Sequence, residues 1–227
     1  MREENLFCLN EDLFSILTGD VDLLFLANPN NPTGNMMSNE YMKKLLCHCR
    51  ENGIYVVLDE CFIEFCDRDA SMLPEIEGFE NLILVRAFTK IFAIPGVRLG
   101  YVLCSNKTIL SSIKRQLPEW NLSTFAQAAG CACANQSAFI EKTVDIIKEE
   151  RLFLSENLKS LGFRVFSAEA NFIMLYSEQL MHERLLERGI LIRNCGNFRG
   201  LAQGYYRIAV KGRNENEILI KTIGELS

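Results

Sequence analysis

No stretch of the 227-residue sequence approaches the ~20 consecutive apolar residues that a membrane-crossing helix requires, so an integral membrane protein of the helical kind is excluded. The first residues, "MREENLFCLNEDL", carry acidic side chains and no apolar run of the kind that directs secretion, so a cytoplasmic protein is the expectation. Basic runs are lacking too. Lys and Arg total 24 against 29 Asp and Glu, a formal net charge of -5, which offers a phosphate backbone no continuous landing surface and argues against nucleic acid as a partner. There is no glycine-rich loop of the Walker or dinucleotide type, which disfavours a nucleotide-binding module that would hold phosphate in the Gly/Asn turn. No segment is of low complexity, and no internal repeat is seen.

What is present is apolar. Hydrophobic residues make up 48% of the chain, enough for a full core in one large or two small domains. Nine cysteines, an odd number with no secretion signal, read as free thiols in a reducing compartment. Cys47 and Cys49 flank His48, and Cys131 lies two residues from Cys133. Both pairs fall in helical patterns, where neighbours two apart point to different faces, so small core hydrophobes are expected there rather than a metal site.

The texture changes near residue 160. Before it come four short, continuous apolar runs: "VDLLFLA" (Val21 to Ala27), "IYVVLD" (Ile54 to Asp59), "NLILVRAF" (Asn81 to Phe88) and "LGYVLC" (Leu99 to Cys104). Such runs suit strands covered on both faces, as in a parallel sheet. Between the first two, Met42, Leu45, Leu46 and Cys49 recur at helical spacing, with Ser38 placed to cap the start and Gly53 the end. Further helices are expected over Lys107 to Gln116 and around Phe125 to Ala134. A long one from about Ala138 to Ser160 is stopped by Gly162. Beyond it, "FRVFSAEANFIMLY" reads as two strands, "SEQLMHERLLERG" as a helix, "ILIRN" and "YYRIAV" as two strands, and "NENEILIKTIGEL" as a closing helix boxed by Asn214 and Glu217. The expected division is 1–137, a connecting helix 138–160, and a small α+β domain 161–227.

Polar residues interrupt these runs at corresponding places. "ANPNNPTG" follows the first strand, Asp59 ends the second, Lys90 follows the third and Arg98 opens the fourth. In a parallel sheet the carboxyl ends of strands converge on one crevice, where an amide, a carboxylate, a lysine and an arginine would meet. Singly, each has a plain reading as a turn, a loop cap or a solvated surface charge. The lysine, between Thr89 and an apolar stretch, is expected to be buried.

"NPNNPTG", "LDECF" and "FTKIFAIPGVRLGY", in this order and spacing, resemble the class I/II aminotransferases, pyridoxal-phosphate (PLP) enzymes of the aspartate aminotransferase fold. The resemblance runs from about Asp20 to the C-terminus. It implies an α/β protein of the PLP-dependent transferase fold (type I), with an incomplete, mostly parallel large domain and the small C-terminal α+β domain. It further implies that Lys90 forms the Schiff base with the cofactor aldehyde, through an amine partly desolvated and able to lose its proton. Asp59 would keep the pyridine nitrogen protonated so that the ring serves as an electron sink. Asn31 would bond the ring's phenolate oxygen, and Thr89 and Arg98 would hold the phosphate. Arg207 would grip the substrate carboxylate.

Two departures narrow the subfamily. Phe62 stands where most members have a tyrosine that donates to the ring oxygen, and Ala87 where many have a serine or threonine. "DECFIEF", "ILIRNCGNFRGL" and "GYYRIAVKGRNEN" resemble the threonine-phosphate decarboxylases, which make aminopropanol phosphate for cobalamin, more closely than the sister histidinol-phosphate aminotransferases. Both kinds act on small phosphorylated substrates, so Arg207 and Arg193 would divide the carboxylate and phosphate, with Arg199 a weaker candidate. The complete enzymes imply a homodimer. They also have an N-terminal part with further strands and a phosphate-binding loop, for which "MREENLFCLNEDLFSILTGD" leaves no room. A truncated chain with an uncovered sheet edge and an exposed apolar face is therefore expected, and an inactive member acting only by binding stays open beside the enzyme.

Overall fold

The computed structural model describes residues 3–66 and 68–226. Met1 and Arg2, in the stretch read as too short for further strands, lie outside them. The chain divides into two compact units, one formed by Asn10–Asn28 and Met37–Glu141, the other by Met1–Leu9, Pro29–Met36 and Lys142–Ser227.

In the first unit a short helix α1 (Asp12–Ile16) precedes strand β1 (Leu23–Ala27), helix α2 (Asn39–Glu51), β2 (Tyr55–Asp59), β3 (Leu82–Ala87), a single helical turn α3 (Phe88–Ile91), β4 (Gly100–Leu103), α4 (Lys107–Gln116) and α5 (Thr124–Cys133). The strand order is β1-β2-β3-β4, with β1, β2 and β3 parallel. The fourth strand is antiparallel to β3, against the all-parallel reading of its apolar run. The link from β3 to β4 is short and holds only α3 and a 3-10 turn (Pro95–Val97), too little for the crossover that a parallel neighbour needs. Because β4 runs backwards, its first residues lie at the carboxyl end of β3.

Helix α2 forms as the sequence predicts. The Ser38 hydroxyl accepts from the Tyr41 N–H at 3.2 Å, and Gly53, at φ +74°, supplies the left-handed residue that ends it. Met42, Leu45, Leu46 and Cys49 are fully buried against Val56, Leu58, Leu82 and Leu84 on one face of the sheet. Burial on this scale contributes about 1.5–3 kcal/mol per large side chain. His48 faces away, its Nε2 2.8 Å from the Leu17 carbonyl and its ring edge-on to Phe14. Cys47 is only partly buried while Cys49 lies in the core, as residues two apart on a helix must.

The second unit contains helix α6 (Ser137–Ser160) from Lys142 onward, β5 (Arg164–Val165), β6 (Phe172–Tyr176), α7 (Met181–Leu186), β7 (Arg193–Asn194), β8 (Tyr205–Ala209) and α8 (Arg213–Leu226). Its antiparallel sheet has the order β5-β6-β8-β7. Phe7 packs edge-on against Phe166 and Tyr205, in a cluster with Met174, Cys195 and Leu201. The closing helix starts two residues earlier than the Asn214–Glu217 box would place it, so Asn214 lies inside its first turn. Asn216 organises the entry instead: its Oδ1 accepts from the Lys211 N–H at 3.1 Å, and its Nδ2 donates to the Lys211 carbonyl and to Glu150.

Candidate active site

In the first unit the sequence-selected residues gather at one edge of the sheet. Asp59 is the last residue of β2, Thr89 and Lys90 sit on α3 directly after β3, and Arg98 lies just before β4. The reversal of β4 is what brings Arg98 to this edge. Asp59 pairs in register with Ala27 and Val85, so it shares the sheet face of Leu23, Phe25 and Val57, opposite the face that α2 covers.

The Asp59 carboxylate accepts from the Cys61 N–H at 2.9 Å, which fixes its orientation. Lys90 is exposed, correcting the expectation of a buried lysine: on the single turn of α3 it is the neighbouring Thr89 and Ile91 that are buried. Its ammonium stands 5.4 Å from the centroid of the Phe62 ring, a cation–π contact. Phe62, noted in the sequence only for what it cannot donate, thus provides the surface on which the lysine rests. Arg98 takes a left-handed conformation, φ +57°, and donates to the Pro95 carbonyl at 2.9 Å.

Cys61 was missed by sequence reasoning. Burial, then its hydrogen bond to Asp59 and the charges of Asp59 and Glu64, push its thiol up to about 12, with Lys90 acting the other way. A cysteine immediately beside two charged candidates was the available signal. Beneath Asp59 lies a second omission, the ion pair of the fully buried Glu60 with Arg86 (2.7 Å). Its signal was a pair of ionisable residues within apolar strand sequence.

The second unit brings Asn31, Arg207 and Arg193 together. The "NPNNPTG" turn closes on itself through Gly34 N–H to the Asn30 carbonyl (2.7 Å) and Asn30 Nδ2 to the Thr33 hydroxyl (2.8 Å). Gly34 is required: at φ +77° a Cβ would come within 2.5 Å of that of Ala168. So held, Asn31 accepts a hydrogen bond from the Arg207 guanidinium on β8. Arg193 stands directly opposite Arg207 across β7 and β8, and donates to Asn197 at 3.0 Å. The two guanidinium groups lie over the rings of Phe198 and Phe172 respectively. Burial and the neighbouring Arg193 charge lower the Arg207 pKa, opposed by Cys195. Like charges set opposite each other on neighbouring strands suit a ligand with more than one anionic group. Arg199 is exposed on the loop after β7.

The sequence profile of the family described as "Aminotransferase class I and II" matches residues 3–223. The chain belongs to that family. It is 32% identical over 227 residues to threonine-phosphate decarboxylase of Salmonella typhimurium, covering 98% of this chain and 62% of that protein. To histidinol-phosphate aminotransferase of Caldanaerobacter subterraneus subsp. tengcongensis it is 36% identical over 206 residues, covering 90% and 57%. The crystal structure of histidinol-phosphate aminotransferase from Clostridium acetobutylicum superposes with a TM-score of 0.92 at 36% identity, covering 96% of this chain and 68% of that one. The chain thus spans about three fifths of the length of the curated relatives it matches. The aspartate aminotransferase fold expected from the sequence is the fold observed.

Family membership implies pyridoxal phosphate. The donor set fits it: an amine beside an aromatic face, a carboxylate oriented by a backbone N–H, a hydroxyl and a guanidinium occupy one sheet edge.

Proposed function

We propose that this chain carries the cofactor- and substrate-binding residues of a pyridoxal-phosphate enzyme that decarboxylates L-threonine O-3-phosphate to aminopropanol phosphate. When bound, pyridoxal phosphate supplies an aldehyde for an amine and a ring that takes up the electron pair left at the substrate Cα. Lys90 offers that amine, and afterwards a group able to return a proton to Cα. The Asp59 carboxylate holds a proton at the ring nitrogen. Thr89 and Arg98 donate to the cofactor phosphate, and Asn31 to the ring oxygen. Arg207 grips the substrate carboxylate and Arg193 its phosphate, each as a charged fork.

The observation that carries the decarboxylase reading is Phe62, whose ring faces the Lys90 ammonium where a tyrosine hydroxyl would donate. A second reading, a histidinol-phosphate-type aminotransferase, is favoured by the closeness of the Clostridium acetobutylicum structure. The sheet face opposite α2, where Phe25 and Leu23 lie exposed, favours a further condition: activity, and the homodimer of complete enzymes, need polypeptide beyond this chain, without which it binds cofactor weakly or acts only by binding. The test compares carbon dioxide release from threonine phosphate with amino transfer from histidinol phosphate to 2-oxoglutarate, using a complete form of the enzyme. Faster decarboxylation is expected. Transfer to 2-oxoglutarate without carbon dioxide would decide for the aminotransferase.

A further inference from the structure

We infer that Glu60 and Arg86 are positioning residues, whose buried ion pair sets the spacing between Asp59 and Lys90; the inference rests on the reading of those two as the cofactor's partners. Glu60 directly follows Asp59, and strand alternation turns its side chain to the opposite, covered face. Arg86 lies four residues before Lys90, near the end of the strand that feeds α3. A link between Glu60 and Arg86 therefore ties together the two backbone segments that present the carboxylate and the amine.

That link is fully built. Glu60 Oε2 accepts from Arg86 Nε at 3.0 Å, from Arg86 Nη2 at 2.7 Å and from the Ser71 hydroxyl at 2.9 Å. Glu60 Oε1 accepts from the Met72 N–H at 2.8 Å. The Glu60 N–H donates to the Val85 carbonyl at 2.8 Å, so the two strand ends are joined by main chain as well as side chain. Arg86 also contacts the hydroxyl of Ser71, and stands opposite Tyr101 across β3 and β4. A fork on one carboxylate oxygen, with the other oxygen bound by a backbone N–H, leaves little freedom in either rotation or distance. A buried ion pair is weak evidence for stability, since apolar residues of similar volume often serve as well. Its geometric strictness is what an apolar pair could not supply.

The test exposes a complete form of the enzyme, as wild type, Glu60→Gln and Ser71→Ala, to excess pyridoxal phosphate, reduces with borohydride, and maps the pyridoxyl label by peptide mass. The quantity read is the label on Lys90 relative to the exposed Lys107 and Lys142. Glu60→Gln is expected to lower this ratio about tenfold, and Ser71→Ala about threefold, with far-ultraviolet circular dichroism unchanged. A ratio that stays at the wild-type value in both, even with a lowered melting temperature, would mean that the pair only stabilises and overturns the inference. So would an unchanged ratio in Ser71→Ala should Glu60→Gln fail to fold. A wild-type complete enzyme with no preference for Lys90 overturns instead the reading of Lys90 beneath it.

Discussion

The two sheets differ in how their faces are covered. In the sheet β5-β6-β8-β7, Phe172 to Leu175 are buried without a break and Tyr205, Tyr206 and Ile208 are buried on the neighbouring strand. In the sheet β1-β2-β3-β4, the face under α2 is closed, but the other leaves Phe25 69% and Leu23 43% exposed, with Tyr55 and Val102 also open. Contiguous apolar surface of this kind on a sheet marks a place where further protein packs. The open face is also the one that carries Asp59. The unit with the closed sheet thus holds Arg207 and Arg193 on a finished framework, while the other presents Asp59 on a half-covered one.

The largest expected contrast lies between the faces themselves. Leu84→Ala, at a fully buried position under α2, should cost about 2–5 kcal/mol in urea unfolding, whereas Phe25→Ser should change stability by less than about 0.5 kcal/mol and reduce self-association in light scattering. Equal losses at the two sites would mean that the open face is packed in solution. In the closed-sheet unit, Asn216→Ala should cost about 1–3 kcal/mol by leaving the buried Glu150 short of a donor, while Asn214→Ala should cost a few tenths of a kcal/mol, about. Thermal melts of the two variants distinguish them.

The smallest effect concerns Cys61. Its thiol is held neutral by burial and by Asp59, up to about 12. A folded-state pKa raised above the unfolded value of about 8.5 means that any stability tied to the neutral thiol is complete below that value and lost as pH rises through about 12. At about pH 9, iodoacetamide should therefore modify Cys61 at least about tenfold more slowly than the exposed Cys8. Comparable rates would show the thiol to be solvated.

Much of this was legible in the sequence, because apolar period and punctuation act locally. Met42, Leu45, Leu46 and Cys49 define the buried side of α2, Ser38 and Gly53 mark its ends, and the apolar runs locate β1 to β4. The direction of β4 was not legible, since four residues carry no signature of direction and only the shortness of the preceding link decides it. Lys90 was read as buried because it is flanked by apolar residues, yet a single helical turn alternates core and solvent within one residue. Glu60 and Arg86 are separated by 26 residues, and nothing local announces that they meet. Phe62 was noticed for the hydroxyl it lacks, while its use depends on where the lysine reaches.

The most direct test of the account is the identity of the amine that takes the cofactor. Wild-type chain treated with pyridoxal phosphate and borohydride, digested and mass-mapped, should carry the pyridoxyl group predominantly on Lys90. A label concentrated on any other lysine, in a protein that binds the cofactor, would contradict the assignment of this sheet edge as the active site.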